Sequence, residues 1–130
     1  MPEQAVHRVV QCMGEPGEEP LALGRVISRE TERRSCIVVD CLTLWLTNLL
    51  SSRTEAFERE RAAFLEGVRK WTCDLVLVSN ETNMGVVPRG DLTRRFCDEA
   101  GLLHQELARL SDRVMLCVAG IAYPLKGESR

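Results

Sequence analysis

The chain has 130 residues, enough for one domain that buries roughly two-thirds of its unfolded surface without disulfide or metal staples. Its 45% hydrophobic and 28% charged residues are the proportions of an ordinary globular protein. Its 17 basic and 19 acidic residues leave a formal net charge of -2, which gives no electrostatic footprint for nucleic acid or an anionic membrane.

In chain order, Met1–Gln11 lacks the charged-then-apolar order of a signal peptide, so none is expected. Up to Pro20 there is no hydrophobic period, and Gly14-Glu-Pro-Gly17 reads as a turn or loop. Leu21–Glu30 is a helix candidate. Cys36-Ile-Val-Val-Asp40 is a β-branched run that reads as a buried strand ending in a carboxylate. Leu42, Trp45, Leu46, Leu49 and Leu50 then follow the spacing of one helix face. Thr54 is placed to cap a second helix, with Phe57, Phe64, Val68 and Trp71 as its apolar stripe.

Asp74–Asn80 reads as another buried strand with polar residues at its end. Beyond a loop containing glycine and proline, Asp91 is placed to cap a helix whose apolar stripe is Leu92, Phe96, Ala100, Leu103, Leu107 and Leu110. Arg113–Val118 reads as a third strand, followed by Ala119-Gly120. The longest apolar runs, such as Cys36–Asp40 and Val114–Ile121, are far shorter than the ~20 residues of a membrane-spanning helix. Cys36, Cys41, Cys73, Cys97 and Cys117 lie in or beside apolar elements with no CxxC spacing. They read as reduced, mostly buried thiols of a cytoplasmic protein.

Apolar strands alternating with helices predict a single α/β domain over 1–130, with a three-layer, mostly parallel sheet covered on both faces. Ligands of such sheets gather at the carboxyl ends of the strands, where Asp40, Asn80-Glu81 and Gly120 are expected. A carboxylate directly after an apolar strand is the pattern that holds Mg²⁺ in nucleotide phosphotransferases, but it also serves to cap a following helix. The Asn80–Pro88 loop is longer than the usual ~2–6 residues of a βα connection, which points to a site rather than a plain connection. Glu81 and Asn80 are its polar candidates; Gly85 would allow close backbone approach, and Pro88 would stiffen the exit.

On the last helix, Arg94, Asp98, Gly101 and Gln105 form a polar stripe almost opposite the apolar one. One reading is a solvated face with an Arg94–Asp98 pair. The other starts from the cost of an exposed helical glycine, ~1 kcal/mol against alanine, and has a backbone, subunit or ligand packing at Gly101. His104 reads as a helix-surface residue. Nothing local marks His7 as a nucleophile.

Three ordered segments carry a resemblance. Val39-Asp40-Cys41-Leu42-Thr43-Leu44-Trp45-Leu46-Thr47-Asn48-Leu49-Leu50 resembles the central signature of the adenosylcobinamide kinase/adenosylcobinamide-phosphate guanylyltransferase family. Leu77-Val-Ser-Asn80-Glu81 through Gly85-Val-Val-Pro88 is similar to its second signature. Arg94-x-Phe96-x-Asp98-x-Ala100-Gly101 with Gln105-x-Leu107-Ala108 is similar to a third. Glu18-Glu19-Pro20-Leu21 also fits the family, and His7 lies one residue nearer to it than usual.

The resemblance implies a RecA-like P-loop NTPase fold without its first βα unit, and two reactions. One phosphorylates adenosylcobinamide with ATP or GTP. The other transfers GMP from GTP to that phosphate through a guanylylated histidine. It implies His7 as the catalytic residue, Asp40 as the Mg²⁺-side carboxylate, and Glu18, Asp40 and Glu81 as nucleotide-binding groups. It further implies Asn80, Gly85, Pro88, Arg94, Asp98, Gly101 and Gln105 as substrate or subunit contacts in a homo-oligomer, a trimer.

The chain also departs from the family pattern. No Gly-rich loop ending in Lys-Ser/Thr occurs in it, and Thr82-Asn83 and His104 replace other residue types. Weak or absent kinase activity is therefore expected of this chain alone. The alternative is a catalytically inactive nucleotide-binding or assembly protein.

Overall fold

A computed structural model describes residues 8–11, 17–19, 21–31, 36–85 and 88–127. Two short strands, β1 (Arg8–Gln11) and β2 (Gly17–Glu18), precede helix α1 (Leu23–Thr31). Strand β3 (Ile37–Asp40) leads into α2 (Leu42–Leu50) and α3 (Thr54–Lys70). Strand β4 (Leu75–Val78) is followed by the long helix α4 (Asp91–Leu110), then β5 (Val114–Val118) and β6 (Ile121–Lys126).

The period-3.6 stripes pack as the sequence requires. Trp45, Leu46 and Leu49 of α2, Phe57 and Phe64 of α3, and Ala100, Leu103 and Leu107 of α4 meet in one core with Ile37 and Val39 of β3. Trp45 and Phe64 stack at 4.7 Å between centroids, tilted by 56°. The Trp45 indole N–H donates to the Leu21 carbonyl at 2.8 Å, so the largest core side chain is buried without an orphaned donor. α1 lies hard against α3. A Cβ on Gly24 would stand 2.6 Å from the Ala63 carbonyl carbon, so only glycine allows this approach. Arg61 of α3 reaches Glu106 of α4 at 2.9 Å, and Arg95 sits 5.4 Å over the Phe57 ring.

The sheet departs from the expectation in three ways. Its order is β2-β1-β3-β4, and only β3 and β4 run parallel; β1 is antiparallel to both β2 and β3. An apolar run marks a strand for burial but carries no direction, which the connections decide. The second difference is coverage. Leu75 and Leu77 pack on the core, whereas Val76 and Val78 are 48% and 40% exposed, so that face of β4 is open among the described residues. A third layer is not present there.

The third difference is β5, which does not join this sheet. Among the described residues it pairs only with β6, antiparallel, through a two-residue turn at Ala119-Gly120 where both φ angles are positive. Gly120 is thus a hairpin turn and not part of the rim formed by Asp40 and Asn80.

The helix starts also differ. Thr54 and Asp91 are first helical residues rather than caps; Arg53 and Gly90 hold the cap positions without side-chain cap bonds. Leu92 and Leu110, at the two ends of the α4 stripe, are exposed where the helix runs past its core contacts. Cys36 is disulfide-bonded, which corrects the reading of it as a reduced thiol. Cys73 and Cys117 are exposed, and Cys41 and Cys97 are intermediate, so none of these four free cysteines is fully buried.

Candidate functional site

The antiparallel and parallel ladders together place one row of residues across the sheet. Arg8 pairs with Glu18 on one side and with Asp40 on the other, and Asp40 in turn aligns with Val78 of β4. The chain leaving Val78 runs through Ser79, Asn80 and Glu81. Asp40, Asn80 and Glu81 therefore share the carboxyl end of the one parallel strand pair, and Glu18 stands in the same row by backbone register. His7 lies outside the described residues, although its sequence neighbour Arg8 is in this row.

Asp40 is exposed and does not cap α2. The cap position belongs to Cys41, which follows through a cis peptide bond and makes no side-chain cap bond. Among the described residues the Asp40 carboxylate has no hydrogen bond or ion pair to another group. A charged oxygen pair at a strand end, solvated and unengaged, remains available to a cation or to a ligand's donors. Three residues on, the Thr43 hydroxyl accepts the Asn80 backbone N–H at 3.0 Å and lies 3.5 Å from the Ser79 hydroxyl. Ser79 Oγ is in turn 2.7 Å from His104 Nε2. His104 is partly buried, not a simple surface residue of α4.

The loop after β4 folds onto α4. Glu81 Oε1 accepts the Asn83 backbone N–H at 2.6 Å, so one oxygen of this carboxylate is engaged within its own loop. The Asn83 side chain lies against α4 where a Cβ on Gly101 would stand 2.8 Å from Asn83 Nδ2. The close packing expected at Gly101 thus involves a loop of the same chain. Between loop and helix is a cavity of about 140 Å³ lined by Thr82, Asn83, Gly85, Pro88, Arg94, Cys97 and Asp98. The buried Thr82 Oγ1 has no hydrogen-bond partner, an unmet demand of the kind a polar ligand atom satisfies.

Arg94 pairs with Asp91, not with Asp98 as the i, i+4 spacing suggested, because Asp91 at the exposed first turn offers its carboxylate three residues away. Asp98 is left to line the cavity. Gly85 is exposed, with nothing within 4 Å of a built Cβ, and Gln105 is exposed on α4. Sequence reasoning missed Thr43, Ser79, Thr82, Asn83 and Cys97. For His104 a signal existed: it sits four residues after Ala100 and three before Leu107, at the edge of the buried stripe.

A family model described as cobinamide kinase / cobinamide phosphate guanyltransferase matches residues 15–125. The chain belongs to this family. Among curated relatives, the bifunctional adenosylcobalamin biosynthesis protein CobP of Pseudomonas aeruginosa is 52% identical over 112 residues, covering 85% of this chain and 65% of that protein. The bifunctional adenosylcobalamin biosynthesis proteins CobU of Salmonella typhimurium and Escherichia coli are 30% and 29% identical over 118 residues, each covering 80% of this chain. The chain spans 65% of the length of these relatives. The segments that resemble the family's signatures fall on β3 and α2, on β4 with its loop, and on α4. These are the elements that build the rim and the cavity. No described helix is long and apolar enough to cross a membrane.

Proposed function

We propose that this chain is an enzyme of cobalamin biosynthesis that handles GTP at the Asp40 rim, as an adenosylcobinamide kinase and adenosylcobinamide-phosphate guanylyltransferase on a RecA-like fold. The observation that carries the reading is the row Glu18–Arg8–Asp40 beside Ser79–Glu81, which gathers the acidic candidates along one edge. In the transfer, an imidazole nitrogen of His7 attacks the α-phosphorus of GTP. A nitrogen–phosphorus bond forms as the bond to pyrophosphate breaks. A phosphate oxygen of adenosylcobinamide phosphate then attacks the same phosphorus, and the imidazole leaves.

Glu18 and Glu81 are assigned to nucleotide contact. Asn80, Gly85, Pro88, Arg94, Asp98, Gly101 and Gln105 are assigned to the substrate or to a neighbouring subunit. Asp40 would hold Mg²⁺: its carboxylate is exposed and unengaged, which fits an ion held by one protein group together with phosphates and water. No group of three potential ligand side chains occurs among the described residues, so an all-protein cage is not the arrangement invoked. When bound, the ion supplies charge neutralisation on the phosphates. ATP or GTP would serve the kinase step. The exposed apolar residues Val118, Ile121 and Tyr123 support self-association, as a trimer by family resemblance.

Incubation with α-labelled GTP and Mg²⁺ tests the reading. Acid-labile label on the wild-type protein, absent in His7→Ala and reduced at least tenfold in Asp40→Asn, is the expected result. A correctly folded wild-type protein that takes no label would instead make it a binding or assembly member of the family.

A further inference from the structure

Three contacts seat the loop after β4 on α4, one of them the Cys97 thiol donating to the Thr82 carbonyl at 3.9 Å. Asn83 lies on Gly101, and Ser79 Oγ meets His104 Nε2 at 2.7 Å. Gly101 and His104 are three residues apart and so occupy one strip of α4. From His104 the connection continues through the Ser79 hydroxyl to Thr43 Oγ1 at 3.5 Å, and Thr43 accepts the Asn80 amide at 3.0 Å. Side chains of α2 and α4 thereby hold the turn that carries Asn80 and Glu81, Thr43 at the Asn80 amide and His104 at the Ser79 hydroxyl.

We propose that His104 is a positioning residue, which holds the Asn80–Glu81 turn in place through Ser79 and Thr43 and so sets the direction in which that turn meets its ligand. Proton counting is consistent with either form of the ring. If Nε2 is bare, Ser79 donates to it, and Thr43 is free to donate to Ser79 while accepting from Asn80. If Nε2 carries hydrogen, it donates to Ser79, which donates onward to Thr43. In both cases the imidazole anchors the far end of the chain. An apolar side chain at 104 leaves the partly buried Ser79 hydroxyl only its long 3.5 Å contact with Thr43 and frees the turn from α4.

The geometric role stands on these contacts alone. Its consequence for GTP rests on the reading given under Proposed function. Amide hydrogen exchange of the full chain, followed at Asn80, is the primary measurement. His104→Leu is expected to speed Asn80 exchange about 5–10-fold, as loss of one hydrogen bond implies, while amides in the core of α4 exchange as before. His104→Gln, whose amide both donates and accepts, is expected to stay within about twofold of wild type. Should His104→Leu fail to fold, Ser79→Ala breaks the same link from the strand side.

Titration with Mg²⁺-GTP is expected to follow the same order, with weaker binding in His104→Leu and recovery in His104→Gln. Wild-type exchange at Asn80 in a folded His104→Leu or Ser79→Ala protein overturns the positioning role. So does a uniform loosening of all α4. If wild-type protein fails to bind GTP while the exchange pattern holds, the nucleotide reading falls and the positioning role stands.

Discussion

Strands β3 and β5 are built from similar residues and end in opposite circumstances. Ile37 and Val39 of β3 are 2% and 0% exposed, whereas Val118 and Ile121 at the hairpin turn are 62% and 72% exposed. β3 has a strand on each side, and its Ile37 and Val39 are buried in one core with side chains of all four helices. β5 has only β6, tied to the rest through Lys126, whose ammonium donates to the Ala108 and Arg109 carbonyls at 2.8 and 3.3 Å at the end of α4. Apolar surface yields its ~25 cal/mol per Å² only when something covers it. Burial belongs to the neighbours a strand acquires and not to the run of letters.

The contrast can be broken by mutation. Trp45→Ala should show the largest effect, about 3–5 kcal/mol by denaturant titration, since it empties the centre of the core and removes the bond to Leu21. Gly24→Ala should cost about 1–3 kcal/mol, because its new methyl meets α3 backbone rather than a movable side chain. The thermal midpoint measures this loss, and an unchanged midpoint would mean that α1 and α3 are not locked as described. Ile121→Ser in the hairpin should lie within about 0.5 kcal/mol of wild type in dilute monomeric protein. A loss there as large as that of Trp45→Ala would erase the distinction between the two regions.

Much of the core side was legible in advance. The stripes of α2, α3 and α4 appeared at their helical spacings, and the strand ends carrying Asp40 and Asn80 were correctly placed on one rim. The cap assignments at Thr54 and Asp91 were each one residue off. A residue one position from the cap has the same local pattern, and only backbone geometry separates the two. The role of Gly101 was half legible: its cost in a helix signalled close packing, but not that Asn83 would supply it. His104, Ser79 and Thr43 are 25 and 36 residues apart along the two steps of their hydrogen-bond chain, so no local pattern links them.

By itself, the sequence determined the four helices and their apolar faces, strands β3, β4 and β5, and the acidic residue at the end of β3, but not β1, β2 or β6. These follow from short-range periodicity and backbone propensity, which act within one or two turns of chain. The tertiary structure alone decided the antiparallel placement of β1, the separation of the β5–β6 hairpin, and the row joining Glu18, Arg8 and Asp40. It also decided the seating of the Asn80–Glu81 turn on α4. Each of these depends on which distant segments come into contact, and that is settled by closure of the whole core.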